Sequence, residues 1–197
     1  MKKLAFILTA IACVTCGSPN QNKKEKTPEK TLVEKEETKT INKEVPDEED
    51  GGKMLLGKIN KEAFSKETYA EWFQENKDFH TLDTVTAQKI KPLLNEVKIT
   101  AFMGSWCSDS QREIPAFYKI MEYVDYNLDN LTLYAMDHQK LTEEGYENTL
   151  DINYVPTLIF YRDGEEIGRF VEHAQESLEK DIYAIVSDAD YKHAYEE

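Results

Sequence analysis

The stretch that most constrains this chain runs from Val97 to Ser110. Val97-Lys98-Ile99-Thr100-Ala101-Phe102-Met103 is a largely apolar run, and Gly104-Ser105 ends it. Trp106-Cys107 follows, and beyond Ser108 the residues Ile114, Phe117, Met121 and Val124 recur at spacings of three and four. That pattern is a strand, a turn and a helix over Ser108 to Val124, with a cysteine at the helix start. A thiol there sees the positive end of the helix dipole, which favours the thiolate. The plain alternative is an ordinary cysteine beside a turn.

Other residues favour the chemical reading. Pro115 lies eight residues after Cys107, and Tyr154-Val155-Pro156-Thr157 opens the run Leu158-Ile159-Phe160-Tyr161-Arg162-Asp163-Gly164. Trp106-Cys107, Pro115 and the Val155-Pro156 loop, in that order, resemble the thioredoxin superfamily over residues 97 to about 188. In that resemblance Trp106 and Cys107 match the family's tryptophan and nucleophilic cysteine. Pro115 matches the proline that kinks the active-site helix, and Val155-Pro156 the cis-proline loop facing the thiol. The resemblance implies an α/β, three-layer fold with a central mixed sheet flanked by helices. It also implies thiol–disulfide exchange, with Trp106, Val155 and Pro156 lining a peptide groove around the thiol.

Two departures shape the expected mechanism. Ser110 stands where the family has its second, resolving cysteine. The family's buried aspartate would fall six residues before Cys107, where this chain has Ala101. The two losses agree, since without a resolving thiol that acid has nothing to activate. The site therefore reads as monothiol, Cys-x-x-Ser, with Cys107 as nucleophile and Ser110 as a hydrogen-bond donor to it. Asp109 opposes the thiolate, and Arg112 can offset Asp109; a helix-start acid and a surface ion pair are the plainer roles. The alternative for the whole site is a thioredoxin-fold peptide- or protein-binding module without redox turnover. No cofactor is expected. No metal site is expected either: the four His are scattered, and Cys107 is the sole thiol after Cys16.

The rest of the chain supplies context. Lys2 and Lys3 precede the apolar run Leu4 to Val14, which is short of the ~20 residues that span a bilayer. Residues 1–15 thus read as an export signal. A run ending at Cys16-Gly17 resembles a bacterial lipoprotein signal, with lipid on Cys16; Cys13 is the other candidate, and a soluble exported protein the other outcome. Residues 16–53 are polar and low in large apolar side chains, the composition of a disordered tether. Residues 54–197 hold 14 Lys+Arg and 28 Asp+Glu and carry the whole formal charge of −14. Such a domain repels nucleic acid and anionic lipid. Its expected partners are thiol- or disulfide-containing envelope proteins or small thiols, with membrane contact through a lipid anchor alone and a monomeric state. Residues 54–96 read as an N-terminal helical extension, with Ser65 capping a helix that carries Tyr69, Trp72 and Phe73 on one face. Residues 97–190 form the thioredoxin-like domain.

Overall fold

The computed structural model describes residues 41–142 and 144–196. The export segment 1–15, Cys13, Cys16 and the first part of the expected tether lie outside these residues. Six strands form one sheet: β1 (Lys43–Pro46), β2 (Lys53–Ile59), β3 (Val97–Met103), β4 (Leu131–Ala135), β5 (Thr157–Arg162) and β6 (Glu165–Val171). Their order is β1-β2-β4-β3-β5-β6. β3 and β4 are parallel and the other neighbours antiparallel, so the sheet is mixed. The helices are α1 (Glu67–Phe79), α2 (Thr84–Ile90), α3 (Ser108–Tyr123), α4 (Tyr146–Thr149) and α5 (Leu178–Val186).

β3 explains why both faces of the sheet are covered. Side chains alternate along a strand. Val97, Ile99, Ala101 and Met103 enter one apolar cluster with residues of α1, α2, α3 and α5, among them Phe73, Ile90, Phe117 and Ile182. Phe102 enters a second, smaller cluster with Tyr134, Met136, Ile152, Val155 and Ile159, against which Tyr146 of α4 packs. Trp106 and Cys107 pack on this second cluster. The sheet thus separates the bulk of the core from the small cluster that underlies the thiol.

The ends of the elements follow local chemistry. Asp163 and Gly164 take positive φ (53° and 88°) in the tight turn joining β5 and β6. Ser177 caps α5 by accepting from Lys180 N at 3.3 Å. Asp83 caps α2 by accepting from Val85 N and Thr86 N.

Three expectations are corrected. Residues 43–53 are not tether: β1 and β2 form a hairpin, and β2 joins the sheet beside β4. Asp47 Oδ1 accepts from the amides of Glu49 and Asp50, each at 3.1 Å. Gly51 and Gly52 then turn the chain with positive φ of 80° and 79°, which costs glycine little. The acidic run is therefore the hairpin's loop. It follows that the segment 54–96 is not purely helical, because it opens with a sheet strand. Finally, Ser65 does not cap α1. Asn60 starts a 3-10 turn, Lys61–Ser65, by accepting from Glu62 N, and Lys66 becomes the N-cap residue. Phe64, at 3 % exposure, stacks on Phe73 at 4.5 Å. α1 packs chiefly on α3, and α2 on α5.

Candidate active site

Cys107 is the N-cap residue of α3, with extended backbone (φ −83°, ψ 125°). Its carbonyl accepts the first helical bond, from Gln111 N at 2.9 Å, and its own amide closes the preceding turn onto Gly104 O at 3.0 Å. The side chain is half-buried and takes no part in capping. Its Sγ donates to Val155 O at 3.3 Å. The Val155–Pro156 peptide bond is cis, and Val155 is buried. Trp106, Cys107 and Val155, 48 residues apart at the thiol contact, thus meet at one spot. Pro156 follows directly, and its carbonyl accepts from Glu172 N at 2.7 Å, tying the loop to the end of β6.

Ser110 sits on the first turn of α3 with no exposed surface. Its Oγ accepts from Gly104 N at 3.1 Å. No hydrogen bond joins Ser110 to Cys107; the bond its hydroxyl oxygen makes is the one that closes the turn. Ala101 is fully buried in the apolar cluster, so no acid occupies that position on β3.

Trp106 is clamped. Its Nε1 donates to Met136 O at 3.0 Å. Its ring lies against Gly104 so closely that a Cβ there would come within 2.6 Å of it. The ring stacks on His138, with centroids 4.3 Å apart and planes 21° from parallel. His138 Nε2 in turn bonds Asp47 Oδ1 at 2.9 Å. The amide of Asp50, then His138 and the amide of Glu49, hold the Asp47 carboxyl below its usual range against the cost of desolvation.

Arg112 bonds Asp109 at 2.7 Å and Glu113 at 2.8 Å. Burial works against the Arg112 charge, but these two carboxylates overcome it and raise its pKa. Burial pushes the Glu113 carboxyl up, and pairing with Arg112 only partly reverses it. Asp109 and Arg112 are therefore partners on the surface of α3. Glu113 is a third member of this ion-pair group.

Asp47, Ser105 and His138 escaped the sequence reading as site residues. Ser105 Oγ accepts from Leu55 N at 2.9 Å, joining β2 to the thiol's loop. His138 was visible in the segment that follows β4, but its partner Asp47 lies 91 positions away in an acidic run. No local signal connects them. Among the described residues, Asp47, Asp50 and His138 form a set whose ligand atoms lie within 4.8 Å of one another. Such a set could hold a metal ion, but here His138 Nε2 is bonded to Asp47.

A thiol at the head of the helix leaving a central strand, with a mixed sheet between helices, defines a thioredoxin-like protein. The thioredoxin family model matches residues 60–185, and the chain belongs to that family. The match takes in α1 and α2. A thioredoxin H-type from Populus jackii is 25% identical over 135 residues, 68% of this chain and 93% of the relative. Thioredoxin-like 3-3 from Oryza sativa subsp. japonica is 29% identical over 97 residues, 46% of this chain and 69% of the relative. The crystal structure of thioredoxin O2 from Arabidopsis thaliana in the oxidized state is 20% identical and covers 44% of this chain and 76% of its own, with a TM-score of 0.30. Membership supports a general function of the thiol–disulfide oxidoreductase type.

Proposed function

We propose that this protein carries out thiol–disulfide exchange through Cys107 alone. The observation that carries the proposal is the pairing of a half-buried thiol at the head of α3 with the Val155 carbonyl at 3.3 Å, while Ser110 stands on the same turn. The Cys107 thiolate attacks one sulfur of a substrate disulfide. A bond forms between that sulfur and Cys107 as the substrate S–S bond breaks. The departing sulfur leaves as thiolate and takes a proton from solvent. Ser110 cannot resolve the mixed disulfide. A second thiol, from the substrate, another protein or a small thiol, attacks it and regenerates Cys107. That cycle suits isomerisation or monothiol exchange, and no cofactor enters it.

Val155 lies beside the thiol, and the residue before a cis-proline is suited to receive an extended peptide on its backbone. Envelope proteins with thiols or disulfides, and small thiols, are the substrates this reading names. The location rests on residues 1–16: an apolar run ending at Cys16, with lipid on that cysteine and the domain held off the membrane in the cell envelope. Among the described residues no helix is long and apolar enough to cross a membrane.

The test is capture. The full chain should form mixed disulfides that run as adducts on non-reducing gels, vanish on reduction, and are absent from Cys107→Ser. A wild-type protein that forms no adduct with any disulfide overturns the exchange reading and leaves the peptide-binding module. Fatty-acid labelling that is abolished by Cys16→Ser would support the anchor; labelling lost in Cys13→Ser instead would move it.

A further inference from the structure

The β1–β2 hairpin reaches the thiol's neighbour through a chain of two side chains. Asp47 is held rigid: it is 6 % exposed, its Oδ1 accepts from two loop amides, and its own amide bonds Gly52 O at 3.2 Å. From there it takes His138 Nε2 at 2.9 Å. His138 lies nearly flat on Trp106, and Trp106 immediately precedes Cys107. Gly104 bounds the ring as well, and Met136 O fixes its nitrogen. Leu55 N on β2 bonds Ser105 Oγ in the same loop. The hairpin thus grips the Gly104–Cys107 loop at two points.

We propose that His138, oriented by Asp47, is a positioning residue that fixes the Trp106 ring and with it the approach of a substrate disulfide to Cys107. The proposal rests on the reading of Cys107 as an exchange thiol. An aromatic stack holds a ring by its face, and His138 supplies that stack to Trp106, beside the bond to Met136 O and the contact with Gly104. A peptide disulfide must approach Cys107 in line, past that ring. A small alkylating reagent needs no such alignment.

The experiment uses the full chain with Trp72→Phe, which leaves Trp106 as the single indole of the two in the sequence. Three variants are added: His138→Ala, Asp47→Ala and His138→Phe. Two readouts are taken. One is Trp106 emission and its quenching by acrylamide, which does not involve the thiol. The other is the rate of Cys107 with a peptide disulfide, compared with its rate with iodoacetamide. His138→Ala should shift emission to the red and raise quenching. It should slow the peptide disulfide by about tenfold or more, the scale on which misplacement near a reacting atom acts, and leave iodoacetamide nearly unchanged. Asp47→Ala should do the same to a smaller degree. His138→Phe keeps a flat ring and should recover most of the lost rate. Should His138→Ala fail to fold, His138→Gln, which keeps a donor for Asp47 without the aromatic plane, carries the same comparison. Unchanged emission and rate in the ring-less variant would overturn the proposal, as would equal losses with both reagents. If the wild type forms no mixed disulfide, the exchange reading falls, while the Trp106 emission still decides whether the clamp exists.

Discussion

Ser110 Oγ accepts the Gly104 amide at 3.1 Å, with both residues buried at the base of the loop that carries Cys107. The residue in the resolving position is thus part of the loop's architecture. Ser110→Ala leaves a buried amide without its partner, which costs about 1–3 kcal/mol. Urea unfolding should show that loss with the m-value unchanged.

Ser110→Cys tests the chemistry at the same position. Residues three apart on a helix face the same side, so a second thiol there can attack a mixed disulfide at Cys107. The reduced variant should release a peptide thiol and end with an intramolecular disulfide. The wild type should stall as the adduct. Mass spectrometry of the quenched mixture distinguishes the two, and a variant that stalls like the wild type would remove position 110 from the resolving role.

Gly104→Ala probes the other wall of the loop. A Cβ would meet Trp106 Cε2 at 2.6 Å and Cζ2 at 2.8 Å, and the ring is already pinned by Met136 O and His138. Overpacking of this kind costs about 1–3 kcal/mol. A lower unfolding midpoint together with a changed Trp106 emission is expected; a silent substitution would mean the ring moves freely.

Glu179 predicts a pH dependence. It is 1 % exposed, and its Oε1 meets His80 Nε2 at 2.8 Å and Asp83 N at 3.0 Å. Burial alone would raise its pKa, but the bond from His80 and those from the amides of Glu179 and Asp83 leave it lowered. The folded protein therefore holds this proton less tightly than the unfolded chain. The contribution is complete above the unfolded carboxyl value of about 4.3 and is lost as pH falls through the lower folded value. Glu113, raised by burial, has the opposite sign: the folded state holds its proton more tightly, and stability from it falls as pH rises. Unfolding midpoints across the acid range should fall less steeply with acid in Glu179→Gln and more steeply in Glu113→Gln.

The strands and helices around the thiol were legible because each carries its own period and punctuation. β3 reads as a seven-residue run stopped by Gly104, and α3 buries Ile114, Phe117 and Met121 at helical spacing. Asp163-Gly164 marks the last hairpin, and Ser177 marks the start of α5. β1 and β2 were not legible for a physical reason. β1 has four residues, β2 is interrupted by Gly57 at positive φ (79°), and Asp47-Glu48-Glu49-Asp50 between them has the composition of a solvated linker. What orders that loop includes a long-range bond: Asp47 finds His138 just past the end of β4. The bond that Ser110 makes to the loop was not legible either. Its residue type and position suggested the thiol as partner, whereas the bond present is to the backbone amide of Gly104, which donates to Ser110 Oγ.

The last prediction concerns how much of the chain the active-site domain needs. β2 pairs with β4 through Gly57↔Ala135, Lys58↔Tyr134 and Ile59↔Leu133. Leu55 and Ile59 lie in the main core, as do Phe64 and Phe73 beyond them. A chain beginning at residue 60 loses Leu55 and Ile59, a large-side-chain deletion worth about 2–5 kcal/mol each. It also bares the edge of β4, a template for pairing with other chains. A chain beginning at residue 97 loses α1 and α2 as well, leaving the faces of α3 and α5 that they cover exposed. Chains beginning at residues 41, 60 and 97 should therefore behave in order. The first should unfold cooperatively at the full-length midpoint. The second should be strongly destabilised and prone to aggregate, and the third should not fold. A chain from residue 97 with a near-native midpoint and a reactive Cys107 would show that the hairpin and both helices are additions to a domain that stands without them.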